Sequence, residues 1–427
     1  MKNVLIIGSG AREHAIADAF KRSKGIGKIY VSPGNDGIKK DFECFSTEVT
    51  DKDKPFTELI EQIKEKKIDY VFVGNEQALS DGIADELENA GISVVGPSQK
   101  AAMIESSKVF SKFIMKKYHV PTADYQVFTA HKEALGYLNN AHYPVVIKAD
   151  GLAAGKGVMI ANDLPEAESA LKLIFLDKKF GSAGNQVIIE TFLKGEEASI
   201  FAFSDGQYFV STIFAQDHKA IYDGDKGPNT GGMGAFAPVD KFSHLKEKVD
   251  REIFKPVLDG MKAEGTPFKG VLFAGLMIDK DEINVIEFNC RLGDPETEVI
   301  LPLMKTDFAL LCEAIIQKQI DQIELEFINQ YAVTVVSASL GYPESFEKGN
   351  PITINQTIKN YQGQIFYAGV KQSGDYLVNN GGRVLCATAL ADTLKLAIDT
   401  AYQMTACVSF SNRYYRKDIG QKGLEKK

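Results

Sequence analysis

Short apolar runs alternate with helical patterns through the N-terminal quarter of this chain, and that alternation restricts the fold more than any other feature. "KNVLIIG" (2–8), "KIYVSPG" (28–34), "DYVFVG" (69–74) and "ISVVG" (92–96) read as strands, and "REHAIADAFKRS" and "PFTELIEQIKEKK" as helices between them. Strands joined through helices pair in parallel, because each crossover returns the chain to the same end of the sheet. An α/β chain with a doubly wound parallel-sheet domain over 1–120 is therefore expected. A second segment (121–193) runs from "VPTADYQVF" to "QVIIETFL", and a third (194–325) carries "GPNTGGMGAFAP" and "NVIEFNCRLGDPETE". The last (326–427) reads as a small α+β domain, with "YAVTVVSAS", "GQIFYAGV" and "GGRVLCATAL" as strands around glycine turns.

Composition narrows the function classes. The 427 residues carry a net charge of −8, which argues against a broad nucleic-acid surface. No apolar run reaches the length of a membrane span, so no membrane partner is expected. The opening "MKNVLIIGSG" lacks the long apolar segment of a signal peptide. The five cysteines (44, 290, 312, 386, 407) have no paired spacing for zinc or a disulfide framework. A cytoplasmic setting is expected.

"KADGLAAGKGV" (148–158) leaves the strand "YPVVIK" through Gly151, Gly155 and Gly157, with Lys148 and Lys156 beside them. Glycine permits close backbone approach, and lysine adds a positive charge on a long stem. A loop closing over phosphate is one reading; a surface loop with solvated lysines is the other. The spacing fits neither a Walker A loop nor a kinase glycine loop.

"GSGAREHA" (8–15) is not a dinucleotide fingerprint either, because Glu13 stands where the third glycine belongs. The helix start nevertheless offers N–H groups and a positive dipole end beside Arg12 and His14, which suits a single phosphate. In "VIEFNCR" (285–291), Glu287, Asn289 and Arg291 stand two apart and share a strand face. Glu287 and Asn289 supply oxygen ligands of the kind magnesium takes, and Arg291 a fork for carboxylate or phosphate. Asp294 and Pro295 read as the cap and first residue of a helix.

These segments, with "IIETFLKGEEAS", "QDHK", "GPNTGGMG" and "RLGDPETE" in this order, resemble the phosphoribosylamine–glycine ligase family, also called glycinamide ribonucleotide synthetases. The resemblance covers nearly the whole chain and implies an ATP-grasp enzyme. Such an enzyme joins glycine to 5-phosphoribosylamine in de novo purine synthesis with ATP and magnesium or manganese, and releases ADP and phosphate. By the same resemblance, Lys108 and Lys148 contact the ATP phosphates under the lid formed by Gly155, Lys156 and Gly157. Glu190, Phe192 and Leu193 meet adenine, and Glu197 the ribose. Glu287 and Asn289 hold the metal. Arg291 and Asp294, with Asp217, hold glycine and the reacting amine, and Arg291, Asp294 and Lys156 form the catalytic group. Ser9, Gly10, Arg12, Gly34, Asn35, Asn229 and Thr230 bind the ribosylamine. The partners implied are small molecules, and a monomer is expected.

The sequence departs from the family at Ala11, where glycine is usual, and at Ala220, where "DHK" is usually followed by arginine. The implied chemistry is a glycyl phosphate intermediate, formed at the γ-phosphate and then attacked by the amine. Another ATP-grasp carboxylate–amine ligase, or a purine-pathway carboxylase or transformylase, is the alternative.

Overall fold

The structure is a computed structural model that describes residues 1–46, 56–152 and 157–425. The alternating N-terminal pattern forms the parallel sheet it predicts. β1 (Lys2–Gly8), β2 (Ile26–Pro33), β3 (Glu43–Cys44), β4 (Tyr70–Val73) and β5 (Ser93–Val95) lie in the order β3-β2-β1-β4-β5. Only β3 was invisible beforehand, being too short to show a pattern. Val4 to Ile7 and Tyr70 to Val73 are continuously buried, as in a sheet covered on both faces. Strand order reverses at β1. The loops after β1 and β4 therefore flank a crevice at the carboxyl ends of the strands, the usual ligand position in such sheets.

A second, antiparallel sheet has β6 (Tyr125–Phe128), β7 (Val145–Ala149), β8 (Val158–Ala161) and β9 (Val187–Thr191) in the order β6-β9-β7-β8. The glycine loop joins β7 to β8; its Gly155 and Lys156 lie outside the described residues. The third sheet holds β10 (Glu196–Asp205), β11 (Phe209–Ser211), β16 (Lys269–Asp279) and β17 (Glu282–Asn289) in the order β11-β10-β16-β17. Between β11 and β16 run β12 (Gln216–Asp217), β13 (Ala220–Tyr222), β14 (Lys226–Asn229) and β15 (Gly234–Ala237). β13 pairs with β14, while β12 and β15 extend the C-terminal sheet through β18 (Tyr331–Ser339) to the strands Arg383–Ala391 and Gly363–Tyr367. Phe308 packs against Phe20, Phe72 and Phe203, so one ring joins the N-terminal layer to β10.

One local expectation is corrected. The helix after "RLGDPE" spans Thr297–Leu303 with Glu296 at its N-cap position, so Asp294 does not cap it. The Asp294 carboxylate instead meets Arg383, from the C-terminal sheet, at 2.8 Å, and Pro295 also precedes the helix.

The first glycine loop and the C-terminal sheet meet directly. The methyl of Ala11 packs with Val336, Phe366 and Cys386, so this departure from the family pattern contributes to the contact. The Tyr367 N–H donates to His14 Nδ1 at 3.0 Å, and the two rings stack with centroids 5.7 Å apart. Burial pushes the His14 imidazole down to about 4 from an ordinary 6.5. A proton taken up by the unfolded chain below pH 6.5 is thus refused by the folded one until about pH 4. Stability from this group is complete above pH 6.5 and falls by on the order of 3 kcal/mol as pH drops towards 4. His14→Gln is expected to flatten that part of the stability–pH curve in urea unfolding; an unchanged slope would place the titration elsewhere.

Candidate active site

Helix Ala11–Arg22 starts directly after β1, with Gly10 as its N-cap. The Gly10 N–H donates to Glu13 Oε2 (2.6 Å), and Arg12 Nε donates to Glu13 Oε1 (2.6 Å). Glu13, standing in place of a fingerprint glycine, closes this turn itself. Gly8 has φ +140°, and a Cβ there would run into Glu13. Ser9 is exposed at the tip of the loop. Gly34 (φ +64°) starts the neighbouring turn. The Asn35 side-chain amide donates to Ser9 O (2.8 Å) and Tyr367 O (3.0 Å). Ser9, Gly10, Arg12, Gly34 and Asn35 are therefore gathered at one mouth of the crevice.

Arg12 is only 7% exposed. Its Nη1 donates to Leu292 O (3.2 Å), and its Nη2 meets Glu76 Oε2 at 3.4 Å. The same Glu76 oxygen accepts from Arg291 Nε (3.2 Å). Arg291 also donates to Glu105 Oε1 (2.8 Å) and Asn289 Oδ1 (3.1 Å). Burial would raise the Glu76 carboxyl, but Arg291 and Arg12 outweigh it and bring it down to about 2. For Glu105 burial wins over Arg291, and its carboxyl is raised.

A second cluster gathers the lysines. Lys148, on β7, reaches Glu190 of β9 at 3.0 Å and donates to Ile286 O at 3.2 Å. Lys112 approaches the other Glu190 oxygen at 3.4 Å and donates to Thr122 Oγ1 at 2.8 Å. Burial pushes the Lys112 ammonium down to about 8, against the pull of Glu190. Lys108 donates to Gly151 O (2.9 Å), and burial lowers its pKa despite Glu287. Lys219 lies between Glu197 (3.1 Å) and Glu287 (3.7 Å). Burial alone would raise the Glu287 carboxyl, yet Lys219, Lys148 and Lys108 hold it below its ordinary value. Half-buried Phe192 and Leu193 follow β9 beside this cluster, and Gly157 O accepts from the Ala149 N–H (2.9 Å).

The third group lies where β12 and the glycine turn after β14 approach "GDPETE". Thr230 Oγ1 donates to Lys219 O (2.8 Å) and accepts from the Gly232 N–H (2.9 Å). Asn229, the last residue of β14, is exposed. Asp217 Oδ1 is buried without a hydrogen-bond partner among the described residues, and burial together with Glu296 raises its carboxyl well above the ordinary range. Ser199 Oγ donates to Glu296 (2.7 Å). Both carboxylate oxygens of buried Glu298 lack hydrogen-bond partners among the described residues, and burial and Asp294 raise it as well.

Glu287 and Asn289 offer a metal two oxygens from one strand, with Gly275 opposite Glu287. Among the described residues no three His, Cys, Asp or Glu side chains converge on one point. This donor set suits a hard cation held largely by phosphate oxygens. The sequence reading did not single out Glu76, Glu105, Lys112, Lys219, Glu296 or Arg383. The position of Glu76, directly after β4 at a strand-order reversal, was a usable signal. Lys112 and Glu105 lie within helices, where nothing local distinguishes them from surface charges.

Family models for phosphoribosylglycinamide synthetase match the chain in three parts: the N domain over 2–105, the ATP-grasp (A) domain over 106–297 and the C domain over 332–422. A phosphoribosylamine–glycine ligase of Caldanaerobacter subterraneus is 45% identical over 419 residues, covering 97% of this chain and 99% of that protein. A bifunctional purine biosynthetic protein of Dictyostelium discoideum is 45% identical over 99% of this chain, which spans only 55% of its length. The crystal structure of a phosphoribosylamine–glycine ligase from Thermotoga maritima superposes with a TM-score of 0.84 at 35% identity, covering 97% of this chain and 99% of that one. The biotin carboxylase domain of a Hydrogenobacter thermophilus 2-oxoglutarate carboxylase shares the fold at 16% identity, with a TM-score of 0.74 over 97% of this chain and 91% of that one.

Glu190 is the carboxylate between two buried ammonium groups, Lys112 and Lys148. Removing one member of such a cluster leaves buried charge unpaired and destabilises by about 3–5 kcal/mol. Glu190→Gln is expected to lose stability on that scale in denaturant unfolding, with the Lys112 pKa falling further; a loss of less than about 1 kcal/mol would mean the lysines find other partners.

Proposed function

The chain belongs to the phosphoribosylglycinamide synthetase family, and from that premise we propose that it is an ATP-dependent, ADP-forming ligase that joins glycine to 5-phosphoribosylamine in purine biosynthesis. The observation that carries this reading is Lys219 set between Glu197 (3.1 Å) and Glu287 (3.7 Å), with Lys108 and Lys148 near enough to help hold the Glu287 carboxyl below its ordinary value. Positive groups held in place by a carboxylate suit a triphosphate and its cation, and stabilise the transferring group without reorganising during reaction.

Lys108 and Lys148 are assigned to the phosphates, and Gly155 and Gly157 to the same ATP site. The Glu190 carboxylate is engaged by lysines, so adenine is assigned to the backbone through Phe192 and Leu193. Glu197 is assigned to the ribose hydroxyls. Glu287 and Asn289 are assigned to magnesium or manganese, which when bound offsets charge on the β- and γ-phosphates. Ser9, Gly10, Arg12, Gly34 and Asn35 are assigned to the ribosylamine phosphate, with Asn229 and Thr230 at the facing turn. Arg291, Asp294 and Asp217 are assigned to glycine and the amine, and Lys156 to closure.

The glycine carboxylate oxygen attacks the γ-phosphorus and ADP leaves, giving glycyl phosphate. The amine nitrogen then attacks the activated carbonyl, phosphate leaves and the nitrogen gives up a proton. Lid closure excludes water that would hydrolyse the intermediate. The reading divides the chain at about 120, 193 and 325, and takes it as a cytoplasmic monomer acting on small molecules. Among the described residues no helix is long and apolar enough to cross a membrane.

Incubation with ATP, magnesium, glycine and freshly made phosphoribosylamine is expected to yield glycinamide ribonucleotide and ADP by mass spectrometry; glycine-independent ATP turnover would point to another ligase. Glu287→Gln keeps size and removes one charge beside the lysines. A preorganised electrostatic partner of this kind contributes about 2.7–4 kcal/mol, so kcat should fall roughly 10²–10³-fold. Near-normal turnover at low magnesium would remove Glu287 from the metal site.

A further inference from the structure

Arg383 opens the C-terminal strand Arg383–Ala391, far in sequence from every residue assigned to the reaction. Its Nη1 donates to Gly231 O (2.7 Å) and Asp294 O (2.9 Å) and meets Asp294 Oδ1 at 2.8 Å, with Gly232 O at 3.5 Å. Four oxygens of two different loops thus surround one nitrogen. The backbone of Gly231 lies close against the guanidinium, where a Cβ would come within 3.0 Å of Cζ. Burial disfavours the charge, but Asp294 outweighs it and keeps Arg383 ionised.

The contact leaves Asp294 with one engaged oxygen and one turned elsewhere. Asp294 Oδ2 lies 3.4 Å from where a Cβ on Gly10 would stand, so it faces the first glycine loop across the crevice. Gly232, whose carbonyl Arg383 also approaches, packs its backbone over Asp217 Oδ1; a Cβ there would come within 2.7 Å. One guanidinium therefore sets the place of Asp294 directly, and that of the turn covering Asp217 indirectly.

We propose that Arg383 is a positioning residue for the phosphorylated amine substrate: from the C-terminal sheet it fixes Asp294 and the Gly231–Gly232 turn, so that Asp294 Oδ2 is presented towards the first glycine loop, across the ribosylamine whose phosphate that loop takes. The inference rests on the ligase reading above. A lysine at 383 keeps the charge but not the planar fork, and so serves only in part.

The test compares wild type, R383A, R383K, D294N and R383A/D294N. Calorimetry gives the affinity for glycinamide ribonucleotide, which carries the phosphorylated part, and for a non-hydrolysable ATP analogue. R383A is expected to weaken nucleotide-product binding and raise the ribosylamine KM about 10–100-fold, with the ATP analogue changed less than about 2-fold. R383K should fall between, added guanidinium should restore part of the R383A loss, and the double variant should be no worse than the poorer single one. Equal loss of both ligands, additive penalties, or no recovery with guanidinium would overturn the proposal. If R383A does not fold, R383K carries the comparison; if both unfold, the role is structural and the proposal falls. Absence of wild-type turnover would overturn the ligase reading itself, whereas an active wild type with an unaffected R383A overturns the Arg383 role alone.

Discussion

The carboxylate of Glu76, held between Arg12 and Arg291, is the interaction on which the arrangement of the site depends. It is the middle of a line of alternating charge, Glu13–Arg12–Glu76–Arg291–Glu105. The line runs from the first helix, across the crevice and past the end of β17, to the helix Gln99–Ser106. Buried ions persist only when paired with good geometry, since desolvation otherwise exceeds the Coulomb gain. Each member therefore holds its neighbour in place. Two arginine forks suited to anions are set before any substrate arrives, and a substrate anion reaching them must share or displace Glu76.

The lysine cluster follows the same logic at the other side of the site. Lys108, Lys148, Lys112 and Lys219 would repel one another if left alone in a buried space. Glu190 holds Lys112 and Lys148, Glu197 and Glu287 hold Lys219, and the Gly151 carbonyl holds Lys108. Fixed charges of this kind act at full strength when the reaction is closed off from water, because nothing must rotate into place. Lys219 spans Glu197 and Glu287 and ties the two carboxylates to one another.

The C-terminal sheet is part of the site and not a separate appendage. It takes β12 and β15 from the central segment, stacks Tyr367 on His14, and sends Arg383 between two loops that carry candidate substrate ligands. Residues assigned to substrates in the N-terminal and central segments thus share one frame with the C-terminal sheet. The family departure at Ala11 belongs to this frame, since its methyl is buried against Val336 and Phe366.

By itself the sequence determined the parallel N-terminal sheet, the strand leading into the glycine loop, and the placing of Glu287 with Asn289 on one strand face. All three are local information: a period of two, a period near 3.6, and glycine at turns. It misplaced the start of the helix within "GDPETE": the helix begins at Thr297, while Asp294 meets Arg383, 89 residues away. Tertiary structure alone decided which carboxylate meets which cation. Arg12 reaches Leu292 across 280 positions, and Arg291 reaches Glu76 across 215. Long charged side chains have no periodic signature that names a distant partner; only the crossing of strands and loops, fixed by burial of apolar faces, brings them within hydrogen-bonding distance.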